Sequence, residues 1–123
     1  MSTDLRHRLG RAGEQAALEH LERLGFRLVA RNHRTRWGEL DLVVADDRTL
    51  VFAEVKSRRA GAAASPWDAM TEDKQQRVRR MAVGFLMEAP DRPRGLDLRF
   101  DAIGVLFDAQ GRLVRLDHLE GAF

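Results

Sequence analysis

Asp41, Glu54 and Lys56 are charged residues set inside two short apolar runs, GELDLVV and LVFAEVK. Charge in such runs is costly unless it finds a partner. Two carboxylates and an ammonium have a definite chemistry open to them. A hard cation such as Mg²⁺ binds one or two carboxylates together with water and substrate phosphate oxygens. A neighbouring lysine supplies fixed positive charge where an anion develops. The composition draws attention to that lysine. Of 21 basic side chains, 19 are arginine and two are lysine, Lys56 and Lys74. Guanidinium cannot give up its proton, whereas the pKa of an ammonium shifts with its surroundings. A lysine in so arginine-biased a chain therefore hints at chemistry that needs one.

The stretch 38–56 reads as a β-hairpin. With Asp47 and Arg48 as a two-residue turn, 45 pairs with 50, 43 with 52, and Asp41 lies directly opposite Glu54. Directly opposed side chains sit roughly 4.5–5.5 Å apart at Cβ, and like charges so placed repel. A cation between them reverses the sign. On this register Glu39 faces Lys56, and Val43, Ala45, Leu50 and Phe52 complete that face. Leu40, Leu42, Val44, Val51, Ala53 and Val55 form the other. Both faces are apolar near the turn, as in interior strands of a covered sheet.

A first helix over 4–24 places Ala17, Leu18, Leu21 and Leu24 on one stripe, with Gly25 as its stop. Glu14 falls on the same stripe, so it needs a partner; it meets Asp41 if the helix packs on that face. A strand at 26–30 leads into the basic segment RNHRTRW (31–37). Arg34, Arg36 and Trp37 there combine charge with an aromatic ring, which suits phosphate contact and base stacking. After the hairpin, SRRAGAAASP reads as a mobile loop, with a further turn at 66–70. Val78, Met81, Ala82, Phe85 and Leu86 define a second helix, with Thr71 as N-cap and Glu72 and Asp73 in its first turn. A loop over 89–95 precedes a strand over 96–107, whose alternation slips in phase near Asp101 and so suggests a bulge there. A short strand over 113–116 follows a turn. The order α-β-β-β-α-β-β implies an α/β fold: three layers, α/β/α, around a central mixed sheet of about five strands.

The length of 123 residues suits one domain, spanning 1–123. A composition 44% hydrophobic and 33% charged, with net charge +2, is that of a globular chain. There is no cysteine, so disulfide frameworks and thiolate metal sites are excluded. No apolar run is long enough to span a membrane and no secretory signal is legible, so a cytoplasmic location is expected. The four histidines, at 7, 20, 33 and 118, lack metal-ligand spacing and read as surface residues.

Taken together, G-x-x-x-E (10–14), RNHRTRWGELDLV (31–43), LVFAEVKSR (50–58), Lys74–Gln75, RFDAIGV (99–105) and HLEGAF resemble the YraN family of uncharacterised bacterial proteins. Through that family the chain is similar to the restriction-endonuclease-like PD-(D/E)xK nucleases, including the archaeal Holliday-junction resolvases. The resemblance implies a restriction-endonuclease-like fold and a Mg²⁺-dependent endonuclease, with Mn²⁺ as a substitute, acting on DNA and on branched or repair intermediates. It implies Asp41 and Glu54 as metal ligands, with the Val55 carbonyl contributing and Glu14 as the accessory carboxylate. Lys56 then orients the attacking water, and Lys74 and Gln75 face substrate or the site. Arg58, on the Lys56 face, is a further phosphate contact. Resolvases act as symmetric dimers, so a homodimer is allowed. The competing reading is a nucleic-acid-binding module or repair adaptor on the same fold without turnover. In that reading arginines satisfy Asp41 and Glu54, Lys56 pairs with Glu39, and Lys74 and Gln75 are a solvated first turn.

Overall fold

The computed structural model describes residues 3–61 and 71–123. Seven elements follow one another: α1 (Thr3–Arg23), β1 (Arg27–Thr35), β2 (Gly38–Ala45), β3 (Thr49–Arg59), α2 (Glu72–Glu88), β4 (Asp97–Phe107) and β5 (Leu113–Leu119). The expected element order is the observed one. The strands form a single sheet in the order β1-β2-β3-β4-β5. Only β3 and β4 run parallel, and α2 connects them. The sheet is therefore mixed, with α1 on one face and α2 on the other.

Burial explains why each element forms. Ala17, Leu18 and Leu21 of α1 join Leu42, Val44, Val51, Ala53, Ile103 and Val105 in one apolar layer. Val78, Met81, Ala82 and Phe85 of α2 join Leu40, Val43, Ala45, Leu50 and Phe52 in the other. Each fully buried Val, Leu, Ile, Phe or Met among them stabilises the fold by about 1.5–3 kcal/mol. Thr71 caps α2 as anticipated, its hydroxyl accepting from the Lys74 N–H at 3.2 Å. Gly25, at φ +98°, reverses the chain after α1. Phe26 is thereby buried, while Leu24, expected on the stripe, is 52% exposed.

Three boundaries differ from the sequence reading. Strand β1 continues through the basic segment to Thr35, and β3 runs on to Arg59, claiming residues assigned to a loop. The remainder of that loop, and the turn at 66–70, lie outside the described residues. Strand β5 extends to Leu119 because its pairing with β4 continues as far as Ala102.

The bulge expected near Asp101 is absent. β3 and β4 pair in unbroken register from Thr49↔Asp97 to Arg59↔Phe107. The apparent phase slip arises because both faces of β4 are covered. Asp101, Ile103, Val105 and Phe107 form one buried series, and Ala102 belongs to the opposite face. A polar residue in the first series disguised its period. Asp101 is a fully buried carboxylate that accepts from Arg99 through two bonds of 2.8 Å, from the Gly121 N–H at 3.1 Å, and from His118 at 2.7 Å. The second ring nitrogen of His118 lies 3.0 Å from His20 on α1. His118 and His20 are thus half-buried ties between α1, β4 and β5 and not the free surface residues anticipated.

Candidate metal and phosphate site

The hairpin register is the expected one: Leu42↔Ala53, Val43↔Phe52, Val44↔Val51 and Ala45↔Leu50. It also stops there. Beyond Leu42, β2 stays with β1 as far as the Thr35↔Gly38 pair, while β3 stays with β4 as far as Arg59. The two strands part, and a notch opens between them. Asp41 and Glu54 occupy the next position of the register, at the root of this notch. Asp41 Oδ2 accepts from the Val55 N–H at 2.8 Å, so a side chain replaces the missing backbone acceptor.

The change of face at Asp41 has a visible cause. Leu42 belongs to the α1-side layer but Leu40 to the α2-side layer, contrary to the simple alternation that put them together. Asn32, on the neighbouring strand, has φ +50°, a left-handed conformation that Asn tolerates better than most residues. Its amide donates to Glu14 Oε1 at 3.0 Å and to Glu39 Oε1 at 2.7 Å.

Glu14 comes from the opposite face. α1 packs on the layer that excludes Asp41's predicted face, yet ligand oxygens of Glu14, Glu39 and Asp41 all lie within 4.8 Å of one another. Parting of the strands lets Glu14 reach through. Gly13 makes the approach close enough: a Cβ there would stand 1.7 Å from Ser57 Oγ on β3. The glycine that matters is thus Gly13, whereas Gly10 of the quoted G-x-x-x-E meets nothing within 4 Å.

The electrostatics are those of crowded acids. Burial, and then the Glu54 charge and hydrogen bond, push Asp41 from 3.8 up to about 8, against the Val55 N–H and Lys74, which favour its ionised form. Burial raises Glu14 as well, with Asp41 and Glu39 adding to the effect and Asn32 opposing it. Both lysines of the chain meet here. Burial and a hydrogen bond with Lys56 lower Lys74 from 10.5 to about 8, although Glu54 and Asp41 pull the other way.

Asp41, Glu54, Val55, Lys56 and Lys74 line one cavity of about 350 Å³. Trp37, Glu39, Arg77 and Met81 are also on its wall. Arg34, Arg36, Arg58 and Gln75 do not line it. Arg34 is exposed and pairs with Glu39 at 3.9 Å, while the Arg36 guanidinium lies over the Trp37 ring at 4.5 Å. The Lys56–Glu39 ion pair of the competing reading does not form; Glu39 is held by Asn32 and Arg34. Sequence reasoning missed Asn32, Gly13 and Arg77. Only Asn32 carried a signal, as a turn-favouring residue inside a strand.

A three-layer α/β protein with an acidic, lysine-flanked notch where its sheet changes strand partners is the class these features define. The chain belongs to Uncharacterised protein family UPF0102, whose model matches residues 13–105. This match covers Gly13, Glu14 and every residue of the notch. A relative from Pelotomaculum thermopropionicum is 46% identical over 98% of both chains. Others from Parafrankia sp. and Nocardia farcinica are 45% and 44% identical, each over 94% of this chain and over 96% and 88% of their own lengths. All three carry only the family description. No helix among the described residues is long and apolar enough to cross a membrane.

Proposed function

We propose that the protein is a divalent-metal-dependent nuclease that hydrolyses DNA phosphodiester bonds, with Mg²⁺ as cofactor and Mn²⁺ able to substitute. The observation that carries this reading is the meeting of Asp41, Glu54 and both lysines at the parting of β2 and β3. Asp41 is kept protonated to about pH 8 by burial and by Glu54, so the pair is unfavourable as two anions on its own. A hard divalent cation is the ligand whose charge turns that repulsion into binding. Asp41, Glu54 and the Val55 carbonyl would hold it, with Glu14 as accessory acid, and the oxygen-only donor set suits Mg²⁺. When bound, the metal supplies Lewis-acid polarisation of a phosphoryl oxygen and a water of lowered pKa.

The protein's own groups do the rest. Lys56 and Lys74 draw phosphate oxygens into the notch and stabilise charge that builds on phosphorus. Lys56 orients the attacking water. The water gives up one proton to solvent as its oxygen forms the new P–O bond, the ester P–O bond breaks, and the leaving oxygen takes a proton from solvent. Asn32 positions Glu14 and Glu39 without touching substrate. Arg77, on the wall, adds a phosphate contact. The α/β/α layering around a mixed sheet is compatible with the restriction-endonuclease-like arrangement, which supports the reading at the level of fold.

The deciding experiment is a panel of linear, flapped, single-stranded and four-way DNAs incubated with Mg²⁺ or Mn²⁺. Wild type is expected to cut at least one, Lys56→Ala to bind metal but not cut, and Asp41→Ala and Glu54→Ala to lose metal binding in calorimetry. Absence of Mg²⁺ and Mn²⁺ binding by wild type refutes the reading.

A further inference from the structure

Trp37 is a wall of two cavities. One is the notch; the other, about 520 Å³, is lined by Thr35, Arg36, Trp37, Gly84, Met87 and Glu88. Arg36 and Trp37 are the two residues that turn β1 into β2, so the tip of that hairpin overhangs α2 between the cavities. The second cavity differs in character from the first. Its walls are an indole, a guanidinium lying over the indole, the bare backbone of Gly84 and the side chain of Met87, which is 82% exposed. Arg36 and Glu88 cancel in net charge, so nothing there selects a phosphate.

Flat π surfaces, a polarisable thioether and one carboxylate acceptor are instead the recognition chemistry of a nucleobase. Bases stack on aromatic rings and on guanidinium planes, and their exocyclic amines donate to carboxylates. Gly84 borders the indole closely: a Cβ there would stand 3.6 Å from Trp37 Cζ3, in ordinary contact, and a longer side chain would extend into the cavity.

We infer that this slot receives one unpaired base whose neighbouring phosphate lies in the notch. The substrate class is thereby DNA with an unstacked nucleotide beside the scissile bond, because a base inside a duplex has both faces covered by its neighbours. The inference rests on the nuclease reading for the phosphate and on the hairpin tip for the base.

The two are tested separately. In a Trp67→Phe chain, Trp37 is the sole indole, and its fluorescence reports the slot. With Ca²⁺ present, a short single-stranded DNA is expected to quench it, and a blunt duplex of equal length is not. Trp37→Ala is expected to weaken single-strand binding on the order of tenfold, the fold-change of ~1.4 kcal/mol, within the range of one stacked base. Trp37 also packs against the α2-side layer, so Gly84→Leu provides an independent variant that puts bulk into the slot without removing the indole. It is expected to lose single-strand affinity and keep duplex affinity. Mn²⁺ binding is read in Gly84→Leu, since Gly84 lines the slot and not the notch, and is expected to stay at the wild-type value. Bound single strands that leave Trp37 fluorescence unchanged, or quenching as strong with the duplex, overturn the slot alone. A protein with neither Mn²⁺ nor DNA affinity overturns both proposals.

Discussion

Replacing Asp41 by asparagine removes its titratable proton but keeps a hydrogen bond, since an amide oxygen accepts from the Val55 N–H as the carboxyl oxygen does at 2.8 Å. The expected result is a more stable protein in the absence of metal. The folded-state pKa of Asp41 is raised from 3.8 to about 8, by burial first and Glu54 second. Between those values the unfolded chain has released the proton that the folded chain retains, so stability falls as pH rises. Each unit is worth about 1.4 kcal/mol. From about pH 4 to about pH 7 the loss is therefore on the order of 4 kcal/mol, a large part of a typical domain's stability. Lys74 acts with opposite sign in the next window. Its folded pKa is lowered from 10.5 to about 8, so its contribution is present above 10.5 and lost as pH falls through about 8. The notch destabilises the metal-free fold most near pH 8. Urea denaturation in a chelating buffer, measured at a series of pH values, reads this directly. Wild type should lose stability between pH 4 and 8, and Asp41→Asn should follow a flatter course and exceed wild type by a few kcal/mol near pH 8. Saturating Mn²⁺ should restore wild type by about 2.7 kcal/mol at roughly a hundred times its dissociation constant, and should leave the variant little changed. If the variant is no more stable than wild type at pH 8, or shows the same slope, the argument that Asp41 is held protonated fails.

Two further outcomes concern the scaffold. Gly13→Val forces a side chain into Ser57 Oγ, with an expected cost of about 1–3 kcal/mol and weaker Mn²⁺ binding as Glu14 is carried away from Asp41; Ser57→Gly in the same chain should recover much of both, read by urea midpoint and calorimetry. Asp101→Ala leaves Arg99 and His118 without their shared acceptor and should cost about 3 kcal/mol, measured in the same way. Burial pushes Asp101 up, but Arg99, His118 and the Gly121 N–H outweigh it and hold it below its ordinary 3.8. The stability it contributes should thus persist above that value and disappear as pH falls through the lowered one.

The hairpin was legible because its register depends on local information: a two-residue turn and alternation on either side determine which residues face one another. That Asp41 meets Glu54 followed by arithmetic, although the ladder itself ends one pair earlier, at Leu42↔Ala53. Helix α2 was equally plain, since its apolar stripe and its Thr71 cap agree. The parting of β2 and β3 was not legible, because it results from competition for partners between β1 and β4, which lie far apart in sequence. For the same reason Glu14 seemed to require that α1 pack on Asp41's face, when the notch lets it reach from the other. Asp101 misled for a different reason. A buried carboxylate satisfied by Arg99, His118 and Gly121 looks like an interruption of an apolar pattern until its partners, up to 20 positions away, are known.

The tie of Asp101, His118 and His20 also bears on when the site can be completed during synthesis. His20 lies on the helix that presents Glu14, and its partner His118 comes 98 positions later. Chains leave the ribosome from the N-terminus at a finite rate, so this link is made only after nearly all of β5 has emerged. Until then α1 is held without that link, by contacts such as its apolar stripe and the Asn32–Glu14 hydrogen bond. The last strand to emerge thus completes the sheet and fastens the helix that carries Glu14 in the same step.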